Sequence, residues 1–277
     1  MKKITLGFSP CPNDTFIFFA LAGNHLSSNF DVEVTIKDIE VLNSIALRND
    51  GDIVKVSCFA YGKIAKDYTI LRSGAALGKG CGPLLLSKGK GLPDEDDKIA
   101  VPGELTTANF LLKLFLGKEA KTFPLAYDRI MPSLSEEKID YGVIIHEGRF
   151  TYPKYGLSQI RDLGQFWEES YNLPIPLGII AAKRSLGEDT IREVEASIAE
   201  SISYSYEHQD AAYDYMRAYA KEMDDEVFSS YLDLYVNDYT QRLGEEGERA
   251  IVFMLQKAVE LEFLPPFPLD RDFLFLN

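Results

Sequence analysis

Apolar and polar positions alternate along the chain in a strand-then-helix rhythm. The spacing predicts strands over residues 3–9, 32–39, 52–57, 68–72 and 83–87. Helices are predicted between them over 16–23, 41–47 and 59–66, the first capped by Asn13 or Asp14, and a glycine-rich connection joins the last two strands over 74–82. A charged segment at 94–98 then breaks the rhythm. A second set follows, with strands over 99–101, 120–124, 140–146 and 176–183 and helices over 106–116, 127–137 and 162–171. Beyond residue 188 only helices are predicted, over 188–208, 210–221, 225–236 and 245–263.

Strands that alternate with helices build parallel or mixed sheets covered on both faces, so the fold class is α/β. Two such sets with a break near residue 95 predict two lobes. The larger holds residues 1–95 and about 190–277, because the C-terminal helices return to it. The smaller holds 96–189. The segments 50–57 and 138–146 echo each other, an acid followed by a buried strand and a polar end, as α/β topology alone produces.

The 277 residues suit two lobes better than one core, and 46% hydrophobic with 26% charged residues is an ordinary globular composition. The net charge of −14, from 29 basic and 43 acidic residues, argues against nucleic acid or an anionic membrane as a partner. No apolar run approaches the ~20 residues of a transmembrane helix. Lys2 and Lys3 precede an apolar run that Ser9, Pro10, Pro12 and Asn13 cut short, so a cytoplasmic location is expected. Three dispersed cysteines fit a reducing compartment better than a disulfide framework.

In open α/β sheets, ligands bind beyond the carboxyl ends of the strands. The loops there carry Ser9 to Thr15, Ser57 with Cys58, Gly80 to Pro83, Pro102 to Thr107, and His146 to Arg149. Facing each other, they form one polar cleft. Thr106 and Thr107 stand at a helix start, where hydroxyls and free N–H groups either cap the helix or cradle an anion, and Ser57 and Cys58 admit the same two readings. His146 ends an apolar strand in a ligand-binding position, either as a general base or as a hydrogen-bonded structural residue. Cys11, Cys58 and Cys81 also fall in these loops, but no spacing supports a zinc site or a Cys–His nucleophile. No P-loop or dinucleotide fingerprint occurs.

The turn Ser9-Pro10-Cys11-Pro12-Asn13-Asp14-Thr15-Phe16 resembles the N-terminal signature of the 1,4-dihydroxy-6-naphthoate synthase family of the futalosine route to menaquinone. Further likenesses are Asp38 to Asn43, Lys55-Val56-Ser57, Gly80 to Pro83, Pro102-Gly103 with Thr106-Thr107-Ala108, Ile145-His146-Glu147, and Pro174, Pro176, Leu177 and Gly178. They extend to about residue 185, and the helical remainder is similar in character only. The resemblance implies a two-lobed fold like the type 2 periplasmic binding proteins. It implies conversion of cyclic dehypoxanthinyl futalosine to 1,4-dihydroxy-6-naphthoate and dihydroxyacetone, with no cofactor or metal. His146 would be the base, and Asn13, Asp14, Ser57, Cys58, Thr106, Thr107 and Gly178 would bind the substrate, a small-molecule carboxylate. Helix N-termini are expected to hold that carboxylate without a buried lysine. A homodimer is an open possibility. The alternatives are the chorismate dehydratase of the same pathway and a non-catalytic binding protein.

Overall fold

The computed structural model describes residues 2–220 and 225–276. Its strands are β1 (Lys2–Phe8), β2 (Phe30–Ile36), β3 (Ile53–Ser57), β4 (Tyr68–Ile70), β5 (Ala76–Gly78), β6 (Leu84–Ser87), β7 (Lys98–Val101), β8 (Lys121–Pro124), β9 (Tyr141–Ile144), β10 (Ser158–Asp162) and β11 (Ile175–Lys183). They form two mixed sheets. The first runs β2-β1-β3-β11-β4, with β5 also paired to β11, and the second runs β10-β6-β9-β7-β8. β1 is parallel to β2 and β3, whereas β11 is antiparallel to β3, β4 and β5. In the second sheet β7 is parallel to β8 and β9, and β6 is antiparallel to β9 and β10.

Every position of β3, β6 and β9 is buried, as expected of mainly apolar strands covered on both faces, with Lys55, Ser57 and Ser87 the buried polar positions among them. The helix Pro12–Ala22 is apolar all round from Phe16 onward, and every residue from Pro12 to Leu21 is buried. It lies between the first sheet and the helices Glu188–Glu207 and Gln209–Tyr219. The helix Gly244–Glu260 packs on the helix Cys58–Ile64 and on β11 of the first sheet. One apolar cluster runs from Val54 and Tyr61 in the first sheet's layer through Leu111 and Trp167 beside the second. The lobes therefore share a core.

Sheet membership moves the crossings. β6 already pairs in the second sheet, so the chain leaves the first between Gly78 and Leu84, not near residue 95. It returns at β11, before residue 190. Two strands were not read from the pattern, β5 inside the glycine-rich connection and β10, whose Ser-Gln-Ile-Arg-Asp sequence has little apolar character. The first helix begins at Pro12, with Cys11 at its N-cap and Asn13 and Asp14 inside its first turn, so neither caps it. The expected helix over 210–221 appears as Gln209–Tyr219, and Lys221 lies outside the described residues. Among the described residues no helix is long and apolar enough to cross a membrane.

Candidate functional site

A partly enclosed pocket opens between the carboxyl ends of the two sheets. Asn13, Asp14, Ser57 and Gly178 line it from the first sheet, and Thr106, Thr107 and His146 from the second. Of the eight residues expected there, only Cys58 is absent from the lining. It is fully buried one position behind Ser57, and burial pushes its thiol pKa well up, so it serves as apolar packing.

The Ser9–Asp14 turn is tied to β3 by charge. Asp14 accepts hydrogen bonds from Ser9 Oγ at 2.6 Å, from the Ser9 N–H at 3.2 Å and from Asn13 Nδ2 at 2.9 Å. Its Oδ1 also pairs with Lys55 Nζ at 2.9 Å, and both side chains are only 3% exposed. Lys55 Nζ donates as well to the Gly74 carbonyl at 2.6 Å. A buried lysine thus lines the pocket, contrary to the expectation, but Asp14 neutralises it. Removing either partner would leave an unpaired buried charge, at a cost of about 3–5 kcal/mol. Asn13 is held in turn by the Tyr231 hydroxyl, which donates to its Oδ1 at 2.9 Å.

Two helix N-termini converge on the same space. Ser57 is the N-cap of Cys58–Ile64, yet its hydroxyl makes no capping bond and instead accepts from Asn43 Nδ2 at 3.1 Å. Thr106 caps Thr107–Leu116 in full, accepting from the Asn109 N–H at 3.2 Å and donating to the Gly103 carbonyl at 2.8 Å. Thr107 joins the lobes: its hydroxyl donates to the Leu177 carbonyl of β11 at 2.9 Å and accepts from the Phe59 N–H at 3.3 Å. One first-turn N–H of each helix, that of Phe59 and that of Asn109, is thus already bonded, and the helix dipoles leave the pocket with a positive end suited to an anion. Gly178 forms part of the wall, where a Cβ would sit 3.3 Å from Lys55 Cε.

His146 does not end β9, which stops at Ile144. It stands two residues later in the left-handed conformation, with φ of +60°. Its ring packs edge-on against Tyr127 at 5.2 Å between centroids, and its Nδ1 lies 3.3 Å from Cys11 Sγ. Burial pushes the imidazole pKa down to about 4, against an upward pull from Asp14. The ring is therefore neutral at physiological pH and able to accept a proton. Burial, Asp14 and Glu147 raise the Cys11 thiol well above its ordinary range, which removes it as a thiolate nucleophile. Among the described residues no group of three or more His, Cys, Asp or Glu side chains is placed to hold a metal ion.

Sequence reasoning assigned no role to Lys55, Ser9, Tyr231 or Tyr235, all of which line the pocket. Lys55 left a signal, a single charge within an apolar strand. Tyr231 and Tyr235 left none, because their helix reaches the pocket only through the tertiary fold.

The 1,4-dihydroxy-6-naphthoate synthase of Thermus thermophilus is 44% identical over 97% of this chain and 98% of its own length. The enzyme of that name from Streptomyces coelicolor is 37% identical over 95% of each chain. A crystal structure of an Archaeoglobus fulgidus protein is 34% identical, with a TM-score of 0.88, over 94% of this chain and 98% of that one. At 10% identity, the alkanesulfonate-binding protein of Xanthomonas axonopodis bound to MOPS has a TM-score of 0.72 over 96% of this chain and 95% of that one, which shows the periplasmic-binding-protein-like fold. The menaquinone biosynthesis family model matches residues 4–260, and the chain belongs to that family.

Proposed function

We propose that the protein is a 1,4-dihydroxy-6-naphthoate synthase, a carbon–carbon lyase that splits cyclic dehypoxanthinyl futalosine into 1,4-dihydroxy-6-naphthoate and dihydroxyacetone. Two relatives that carry the synthase name support the reaction. The observation that carries the mechanism is the neutral His146 imidazole on the wall of the interlobe pocket. In this reading His146 removes a proton from the bound substrate. Electrons move into the ring that becomes aromatic, the bond to the three-carbon fragment breaks, and that fragment leaves with a proton delivered to it. The substrate carboxylate sits at the N-termini of Cys58–Ile64 and Thr107–Leu116, since Lys55 is already paired. Ser57 and Asn13 are fixed by Asn43 and Tyr231, so they meet the substrate without reordering.

Turnover of cyclic dehypoxanthinyl futalosine by the purified protein tests the reaction. His146→Asn tests the base: it should bind the substrate as the wild type does and lose about two to four orders of magnitude in turnover, the usual contribution of a positioned base. Near-normal turnover in that variant would remove His146 from the chemistry. Saturable binding with no turnover in the wild type would instead leave a binding protein.

A further inference from the structure

The contact between Cys11 and His146 crosses the cleft. Cys11 follows β1 of the first sheet, and His146 follows β9 of the second. We propose that Cys11 is a positioning residue that takes the Nδ1 proton of His146 in a hydrogen bond from the opposite lobe and so presents a bare Nε2 to the substrate. The proposal rests on the reading of His146 as the base.

The geometry supports it from both sides. Cys11 has little freedom, standing between Pro10 and Pro12 with its backbone N–H on Ser9 Oγ at 3.4 Å. Its carbonyl accepts from the Thr15 N–H at 3.0 Å and the Thr15 hydroxyl at 3.1 Å. With that backbone fixed, Sγ is aimed at the imidazole. On its own side, the His146 ring has the Tyr127 edge and a left-handed backbone that few non-glycine residues adopt. Among the described residues Nε2 has no hydrogen-bond partner.

A neutral imidazole carries one proton. If it sits on Nδ1 and is donated to sulfur, Nε2 has its lone pair free. In the step, the substrate C–H bond breaks and an N–H bond forms at Nε2. Nδ1–H stays on sulfur, and the thiol neither gains nor loses a proton. The base is then correctly aimed only while the lobes hold Cys11 beside it, which couples cleft closure to proton abstraction.

The test uses protein labelled with ¹⁵N in its histidine rings, with the His146 signals identified by their loss in His146→Asn. Wild-type protein should show mainly the Nδ1–H tautomer at His146. Cys11→Ala should shift the ring towards Nε2–H and lower kcat about tenfold, the effect of one lost orienting hydrogen bond, with KM nearly unchanged. Cys11→Ser, whose hydroxyl accepts the same bond, should restore the tautomer and most of kcat. A wild-type ring that is mainly Nε2–H overturns the proposal. So does a Cys11→Ala ring identical to wild type, whatever its turnover. A changed tautomer with unchanged turnover upholds the hold on the ring and overturns His146 as the base.

Discussion

Burial sets the working range of His146. Its pKa of about 4 lies below the ordinary value near 6.5, so the ring stays neutral through the mildly acidic range in which an exposed histidine becomes charged. With His146 as the proposed base, the acid limb of kcat/KM should fall near pH 4, and a profile from about pH 4 to 8 checks this. A limb near 6.5 would mean that water reaches the ring in the free enzyme. The same shift acts on stability. Above about pH 6.5 neither the folded nor the unfolded chain holds a proton at this site. Between about 6.5 and 4 the unfolded chain binds one and the folded chain does not, so stability declines as pH falls, by up to roughly 3 kcal/mol. Proximity of His146 to a strand end was legible in the sequence. Its left-handed backbone and its sulfur neighbour were not, because both depend on the meeting of two loops 135 residues apart.

At the scale of elements, the Thr106 hydroxyl is committed to its own loop and helix cap. Both its donor and its acceptor are used within residues 103–109. Thr106→Val should thus lose about 1 kcal/mol of stability while substrate affinity changes little. Thermal unfolding beside a binding titration checks it, and an affinity loss without a stability loss would assign the hydroxyl to the ligand. Most elements were legible because apolar spacing changes from two to three or four where strand gives way to helix. β10 was not, since its exposed first positions and its charges at Arg161 and Asp162 leave no alternation to read. The Asn13–Asp14 pair looked like a cap because those residue types often are caps. Here Pro12 starts the helix, and Asp14 is drawn instead to Lys55.

Across the whole molecule, a fold of two α/β lobes with a cleft between them followed from the pattern, but the crossings did not. The charged segment at 94–97 is a turn before β7 within the second lobe, and composition alone does not distinguish such a turn from a linker. β11 has the larger consequence. It lies inside the first sheet, bonded to β3, β4 and β5, yet it arrives after the entire second sheet, whose strands come from the continuous stretch 84–162. As the chain emerges from the ribosome, the second sheet can pair in full while β3 and β4 still wait for their neighbour with apolar side chains uncovered. Late pairing of distant strands is slow, and the waiting edges invite aggregation. In pulsed hydrogen exchange during refolding, the amides of Leu86 and Val143 should gain protection before those of Val56 and Ile180, and the reverse order would show that the sheet with the discontinuous strand forms first. A sheet completed by its last strand makes residue 183 the point in synthesis before which the protein is most exposed to misassembly.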